Sequence, residues 1–208
     1  DKKLASEAYD LYLREEVNLD IKNTTKLIKE LDLKDKVNYT FWNTETAAKQ
    51  EAAEKLAKGN LTDGQKGFYM QILAARPGSL NGVSAKDGNI VDGKFIPNGK
   101  YLLAGVVDTM VNNERTRTAM HELDHVIMWN ALLDPEKKGT RDYKWKPMAD
   151  AIQAYLKEHN PSLYNKMFVL GGSQGVALGK DGKPDPMEVV INFMERIDEV
   201  DLNNNGQA

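Results

Sequence analysis

The sequence predicts an α+β fold that is mostly helical, with one small sheet beside a helix that carries two histidines. Three observations favour this class: apolar residues recur at helical spacing along most of the chain, two short stretches are typical of strands, and segments rich in Gly, Asn, Asp or Pro separate these elements. With 208 residues, 41% of them hydrophobic, the chain can bury one globular core. We divide it into a mainly helical N-terminal part, residues 1–75, and a second part, residues 76–208, that contains both histidines.

The N-terminal part is expected to form four helices and one strand. The first two helices are KLASEAYDLYLREEV and NTTKLIKELDL, the second of which follows an Asn/Thr cap. VNYTFW, at 37–42, alternates and is rich in aromatic and β-branched residues, so it predicts a strand. The other two helices are NTETAAKQEAAEKLAKG, which ends at Gly59, and the segment from about Thr62 to Ala75.

The second part begins with a stretch from Gly78 to Gly99 that is dense in Gly, Asn and Asp and predicts a loop or hairpin region. KYLLAGVVDTMV is the best strand after it. Asn112 or Asn113 is expected to cap a helix from Glu114 to about Leu133. Further helices are predicted at 146–158, 161–168 and 186–200.

Composition and charge exclude several classes of partner. The net charge is −3 with interspersed Lys and Glu, so the chain offers no basic face for nucleic acid or anionic lipid. YLLAGVV is far shorter than the ~20 residues of a membrane-spanning helix. Because the chain has no cysteine, any metal must be held by imidazole and carboxylate groups.

The stretch TAMHELDHVIMW contains the chemistry-bearing motif His121-Glu122-Leu123-Asp124-His125. On a helix, positions i and i+4 lie about 40° apart around the axis and ~6 Å apart along it, so both imidazoles can reach one ion. Zinc takes such nitrogen ligands, and Glu122 is then placed to accept a proton from a water on the metal. The alternative is that these are ordinary helix surface residues.

The motif resembles the HExxH signature of the zincin metallopeptidases. This resemblance implies a zinc cofactor, a small sheet beside the HExxH helix, and a zincin-like catalytic part at residues 76–208. In zincins an extended peptide substrate lies along the edge strand that precedes this helix, which would make KYLLAGVVD the substrate-binding edge. A central core strand is the alternative for this apolar segment.

The third zinc ligand has several candidates. The metzincin pattern requires histidine at position 131, where this chain has Ala131. GTRDYKW is similar to the GTxD signature of the deuterolysin-type aspzincins, which would make Asp142 the ligand, although the linker after His125 is longer than in those enzymes. As a local structure, KKGTRD is also typical of a helix end and turn.

The segment PDPMEVV is similar to the Pro-x-Glu helix that supplies the glutamate ligand in lethal-factor-like and Pro-Pro endopeptidase-like gluzincins. This resemblance makes Glu188 the preferred third ligand. Those enzymes often carry a tyrosine about two turns earlier, where this chain has Asp181. Glu195 remains a further option, whereas His159 is expected to be a solvated residue at a helix C-terminus.

The resemblance implies a zinc-dependent endopeptidase that cleaves a protein or peptide substrate, with Tyr143 or Tyr164 as possible assisting groups. Toxin-type and secreted bacterial zincins make export or delivery into another cell the expected setting. Two alternatives stay open: a non-catalytic binding module on a zincin scaffold, and a zinc amidase that acts on cell-wall peptides. DLNNNG, which starts at Asp201, is either the beginning of a calcium loop or a polar tail.

Overall fold

The computed structural model of the chain describes residues 2–131, 145–170, 176–179 and 182–196. In chain order its elements are α1 (Lys2–Glu30), β1 (Val37–Trp42), α2 (Glu45–Lys58), α3 (Asp63–Ala74), β2 (Gly82–Val91), β3 (Lys94–Val106), α4 (Val107–Asn112), α5 (Thr118–Ala131), α6 (Trp145–His159), α7 (Pro161–Tyr164), a π-helical turn (Asn165–Val169) and α8 (Pro186–Glu195). None of the helices in these ranges combines the length and the apolar character that crossing a membrane requires.

The prediction of a mostly helical α+β fold is confirmed, since most of the described elements are helices and the strands form one three-stranded sheet. The chain divides into two compact units, residues 1–131 and residues 132–208. The boundary between these units differs from the one that we drew between residues 75 and 76. The assignment of the catalytic part to residues 76–208 stays a prediction.

The sheet has the strand order β1-β3-β2, in which β1 is parallel and β2 antiparallel to β3. The expectation that KYLLAGVVD forms the edge of the sheet is therefore wrong: this segment lies in β3, which pairs with a strand on each side. Its residues 101–106 are all buried, as expected of a strand covered on both faces. The central position is the alternative that the sequence left open, and the continuous apolar run is compatible with it.

Helices cover both faces of this sheet within residues 2–131. One core lies on the side of α2 and α3 and includes Ala48, Ala52, Phe68, Ile72, Val83, Leu102 and Ala104. The other lies on the side of α1 and α5 and includes Ile28, Val37, Tyr101, Leu103, Leu123 and Val126. Successive residues of β3 alternate between these two cores, which is the period-2 pattern of a strand.

Helix α1 differs from the sequence expectation because one continuous helix replaces the two predicted ones. The Asn-Thr-Thr stretch that suggested a cap lies inside it. The Thr25 hydroxyl donates to the Ile21 carbonyl oxygen at 2.8 Å, and Thr24 is fully buried. A threonine that bonds back to residue i−4 is compatible with a helix interior, so the hydroxyls start no new helix here.

The region from Val107 to Thr118 also differs from the expectation of one helix that starts at Glu114. Residues 107–112 form the short helix α4, and Glu114 has a φ of 54°, in the left-handed region that a continuing helix cannot contain. The motif helix α5 therefore begins at Thr118.

The remaining predicted elements are found close to their expected places. α2 starts after the cap Thr44 and ends at Gly59, and α3 starts after the capping box of Thr62 and Gln65. The Gly-rich stretch 78–99 contains β2, the turn after it and the first residues of β3. In residues 132–208, α6, α7, the π-helical turn and α8 share a core of Ala149, Leu156, Leu163, Met167, Val176 and Val189.

Candidate metal centre

The motif helix α5 is fixed by its apolar face. Leu123 and Val126 are fully buried and belong to the core that also contains Ile28 of α1 and Leu103 of β3. Residues 121, 122 and 125 lie outside that apolar stripe. Burial of the stripe therefore sets the direction in which both imidazoles and the Glu122 carboxylate project.

The two histidines meet as the sequence spacing predicts. Their Nε2 atoms are 3.2 Å apart, and their rings make an angle of 79° with centroids 4.9 Å apart. With Zn–N bonds of about 2.0 to 2.1 Å, a 3.2 Å separation corresponds to an N–Zn–N angle of about 100–106°, near the tetrahedral value. The Nε2 separation is thus that of two nitrogen ligands on one tetrahedral zinc ion.

His125 is 6% exposed and is packed by aromatic rings. Its ring lies 5.7 Å from that of Trp129, one turn further along α5, and Trp129 stacks on Tyr101 of β3 at 6.1 Å with an interplanar angle of 16°. Aromatic packing of this kind restricts the rotamers of the His125 imidazole, so this ring is held in place before any ligand arrives.

Glu122 makes a specific contact with the edge strand β2. The Ser84 hydroxyl donates to Glu122 Oε2 at 2.6 Å. Gly82, two residues earlier on β2, passes so close to α5 that an added Cβ would lie 2.9 Å from Glu122 Oε1 and 2.5 Å from Thr118 Cγ2. The carboxylate is therefore placed by two small residues of the strand.

The N-terminus of α5 is capped from another helix. Asp20, in the middle of α1, accepts a hydrogen bond from the Ala119 N–H at 2.8 Å through Oδ2, and the Met120 N–H lies 3.4 Å from the same oxygen. A carboxylate at this position satisfies N–H groups that have no partner within the helix and is favoured by the helix dipole. Asp20 thus anchors the end of the helix that begins the motif.

His121, His125 and Glu188 are a group of three residues that could hold a metal ion. Glu188 is on the first turn of α8, where Pro186 is the first helical residue and Asp185 is the cap, accepting from the Met187 N–H at 3.0 Å. The following residues Val189, Val190 and Ile191 are buried. A proline start and an apolar face are thus what place Glu188.

The remaining residues that the sequence offered for the site lie as follows. Asp142, Tyr143, Asp181 and Asp201 lie outside the described residues. Glu195 is the last residue of α8. His159 ends α6 as predicted, with its Nε2 3.7 Å from the Glu158 carboxylate and its ring 4.8 Å from Tyr155. Tyr164 lies at the end of α7 and packs against the core of residues 132–208.

Sequence reasoning missed Ser84, Gly82 and Asp20. Ser84 and Gly82 lie in a stretch that was expected only to be a loop or hairpin, and Asp20 is one of many charged residues on a long helix. Nothing in their immediate neighbours distinguishes them, because each contacts α5 through the tertiary fold alone.

Comparison of the chain with protein-family models, with curated proteins and with solved structures finds no match.

Proposed function

We propose that the protein is a zinc-dependent endopeptidase in which His121, His125 and Glu188 hold the metal and Glu122 is the general base. The observation that carries the proposal is the 3.2 Å separation of the His121 and His125 Nε2 atoms, with Glu122 next to His121 in the chain. Two histidines and a glutamate are a donor set of catalytic zinc sites, which keep one position for water.

Each residue has a definite part in this proposal. Zinc, when bound, makes water nucleophilic at neutral pH and polarises the carbonyl of the scissile amide. Glu122 accepts the proton of the attacking water and returns it to the leaving amine, the two steps of general base and general acid catalysis. The Glu122 position favours a catalytic over a purely structural metal, because a structural site has no use for a base there.

The proposed substrate is a protein or peptide, and an extracellular setting follows from the resemblance to secreted and toxin-type zincins. The resemblance also supports Glu188 over Asp142 as third ligand. HExxH chemistry polarises any accessible amide carbonyl, so a panel of casein, short peptides and peptidoglycan is the substrate test.

The test combines metal content and cleavage in matched variants. After loading with zinc, we expect about one zinc per chain in the wild type and in Glu122→Ala, with cleavage lost only in the latter. His121→Ala and Glu188→Ala are expected to lose the metal. Their controls are His159→Ala, which removes a histidine from a solvated helix end, and Glu195→Ala, which removes a carboxylate from the same helix as Glu188.

Three results would redirect the proposal. A wild type that holds no zinc removes the enzyme interpretation in favour of a binding module. Full metal content and activity in Glu188→Ala would make Asp142 the ligand to test, and metal loss in Glu195→Ala instead would select that residue. Cleavage of peptidoglycan but of no protein substrate would identify a cell-wall amidase.

A further inference from the structure

Strand β2 presents alternate residues to the motif helix. Gly82 pairs with Gly105 and Ser84 with Leu103, whose side chain belongs to the core on the α5 side of the sheet. Directly opposed residues of an antiparallel pair point to the same face. Val83, by contrast, belongs to the core on the α2 and α3 side. The alternation of β2 thus brings residues 82 and 84, and not 83, to Glu122.

The contact of Ser84 with Glu122 is short and directed. A hydroxyl that donates to a carboxylate forms a charge-assisted bond, for which 2.5–2.7 Å is the usual range, and the Ser84 Oγ to Glu122 Oε2 distance is 2.6 Å. Glutamate has three side-chain torsions, the last of them broad. A bond to one carboxylate oxygen therefore fixes the plane of the group as well as its position.

Gly82 explains how the strand can come close enough for this bond. An added Cβ at position 82 would lie 2.8 Å from Glu122 Cγ and 2.9 Å from Glu122 Oε1. Any larger residue would push the glutamate away from the strand. The space at residue 82 and the hydroxyl at residue 84 act on the same side chain.

We propose that β2 is a seat for the catalytic base, in which Ser84 is a positioning residue for Glu122 and Gly82 provides the room. This inference rests on the proposed function and adds two residues to it that lie outside the HExxH motif. Ser84 acts through Glu122, to whose carboxylate its hydroxyl donates. Loss of the bond leaves the metal in place but lets the carboxylate rotate away from the attacking water.

The kinetic test compares Ser84→Ala, Ser84→Cys, Ser84→Thr and, as control, Ser79→Ala, which removes a hydroxyl that donates to the Arg76 carbonyl oxygen in an exposed turn. Loss of an orienting partner typically costs 10- to 100-fold in activity. We expect a fall of about 10- to 100-fold in kcat with little change in KM for Ser84→Ala. Ser84→Cys keeps the size but donates weakly and should resemble alanine, whereas Ser84→Thr keeps the hydroxyl and should recover most of the kcat.

A second readout does not depend on activity. In the metal-free protein, Ser84→Ala should lower the urea midpoint of the wild type and leave that of Glu122→Ala nearly unchanged, because the hydroxyl has then already lost its acceptor. Zinc content should be the same in the Ser84 variants and the wild type.

The outcomes separate the two proposals. If the wild type cleaves and Glu122→Ala does not, the proposed function holds, and an unchanged kcat in Ser84→Ala overturns the seat alone. Additive urea midpoints in the two backgrounds would also overturn it, because the Ser84 and Glu122 side chains would then not interact. If the wild type cleaves no substrate, the proposed function fails and the seat for a catalytic base falls with it. A Ser84→Thr variant as slow as Ser84→Ala would show that the hydroxyl is not the cause.

Discussion

Replacing Gly82 by alanine adds one methyl group at the closest approach of β2 to the motif helix. The new Cβ would lie 2.5 Å from Thr118 Cγ2 and 2.8 Å from Glu122 Cγ. Both distances are far inside van der Waals contact, so the Thr118 and Glu122 side chains, or the helix and strand that carry these residues, must shift. Adding a methylene to a packed site costs about 1–3 kcal/mol. We expect a loss of unfolding free energy in that range, equivalent to a fall in Tm of roughly 2–12 °C for a chain of this size.

The assay is urea unfolding followed by tryptophan fluorescence, with Gly67→Ala as the matched control. Gly67 lies inside α3 with nothing within 4 Å of an added Cβ, so alanine there should stabilise the protein by about 0.5–1 kcal/mol. The same chemical change is thus expected to have opposite signs at the two glycines.

The clash itself can be tested by relieving it. Thr118→Ser removes Cγ2, the nearest atom, and keeps the hydroxyl that donates to the Arg115 carbonyl oxygen. We expect the double variant with Gly82→Ala to recover part of the lost stability. A Gly82→Ala variant as stable as Gly67→Ala would refute the close approach of β2 to α5. If Thr118→Ser recovers none of the lost stability, the contact with Thr118 Cγ2 is not the cause of the loss.

Two further predictions concern charges in residues 2–131. Asp20→Ala should lower the free energy of unfolding, measured in urea, by about 1–2 kcal/mol, because the cap of α5 is lost. The control is Asp10→Ala, at an exposed position of α1, which should be neutral or slightly stabilising. Equal effects of the two variants would contradict the capping role of Asp20. The hydrogen bond from Lys49 holds the pKa of Glu45 below its usual value of 4.5, so this carboxylate stabilises the fold above that value and the contribution is lost as the pH falls through the lowered pKa. In thermal melts, Glu45→Gln should therefore lower the free energy of unfolding by about 0.5–1 kcal/mol at neutral pH and leave it unchanged at about pH 2. A loss of stability that persists at about pH 2 would exclude the Glu45 charge as its cause.

The HELDH motif could be interpreted from sequence because its geometry is local. Residues four apart on any helix lie on one face, so the approach of His121 and His125 depends only on the existence of α5. The starts of α2 and α3 could be predicted in the same way, because the side chains of Thr44 and Thr62 each accept from an N–H three residues further along the chain. Information within one helical turn was sufficient in all these cases.

Features that depend on distant segments could not be obtained in this way. The start of α5 was placed at Glu114 because Asn112 and Asn113 are good caps, whereas the capping carboxylate comes from Asp20, far earlier in the chain. The position of β3 in the sheet was open for the same reason. The sequence of an apolar strand does not show how many strands pair with it. The two strands that pair with β3, β1 and β2, come from different parts of the chain.

The support of Glu122 shows why a catalytic motif can be recognised while its surroundings cannot. In a chain without cysteine the zinc ligands are His, Glu or Asp, and these residue types at a fixed spacing are conspicuous. The residues that hold them need only supply one donor or leave one space, which serine and glycine do here, and these are among the commonest residues of any chain. Their role depends on the strand register, which places Ser84 opposite Leu103 so that the Ser84 side chain faces α5. A shift of one residue in that register would present Val83 to Glu122 instead and leave the carboxylate beside an apolar side chain, so the pairing of β2 with β3 is itself part of the proposed active site.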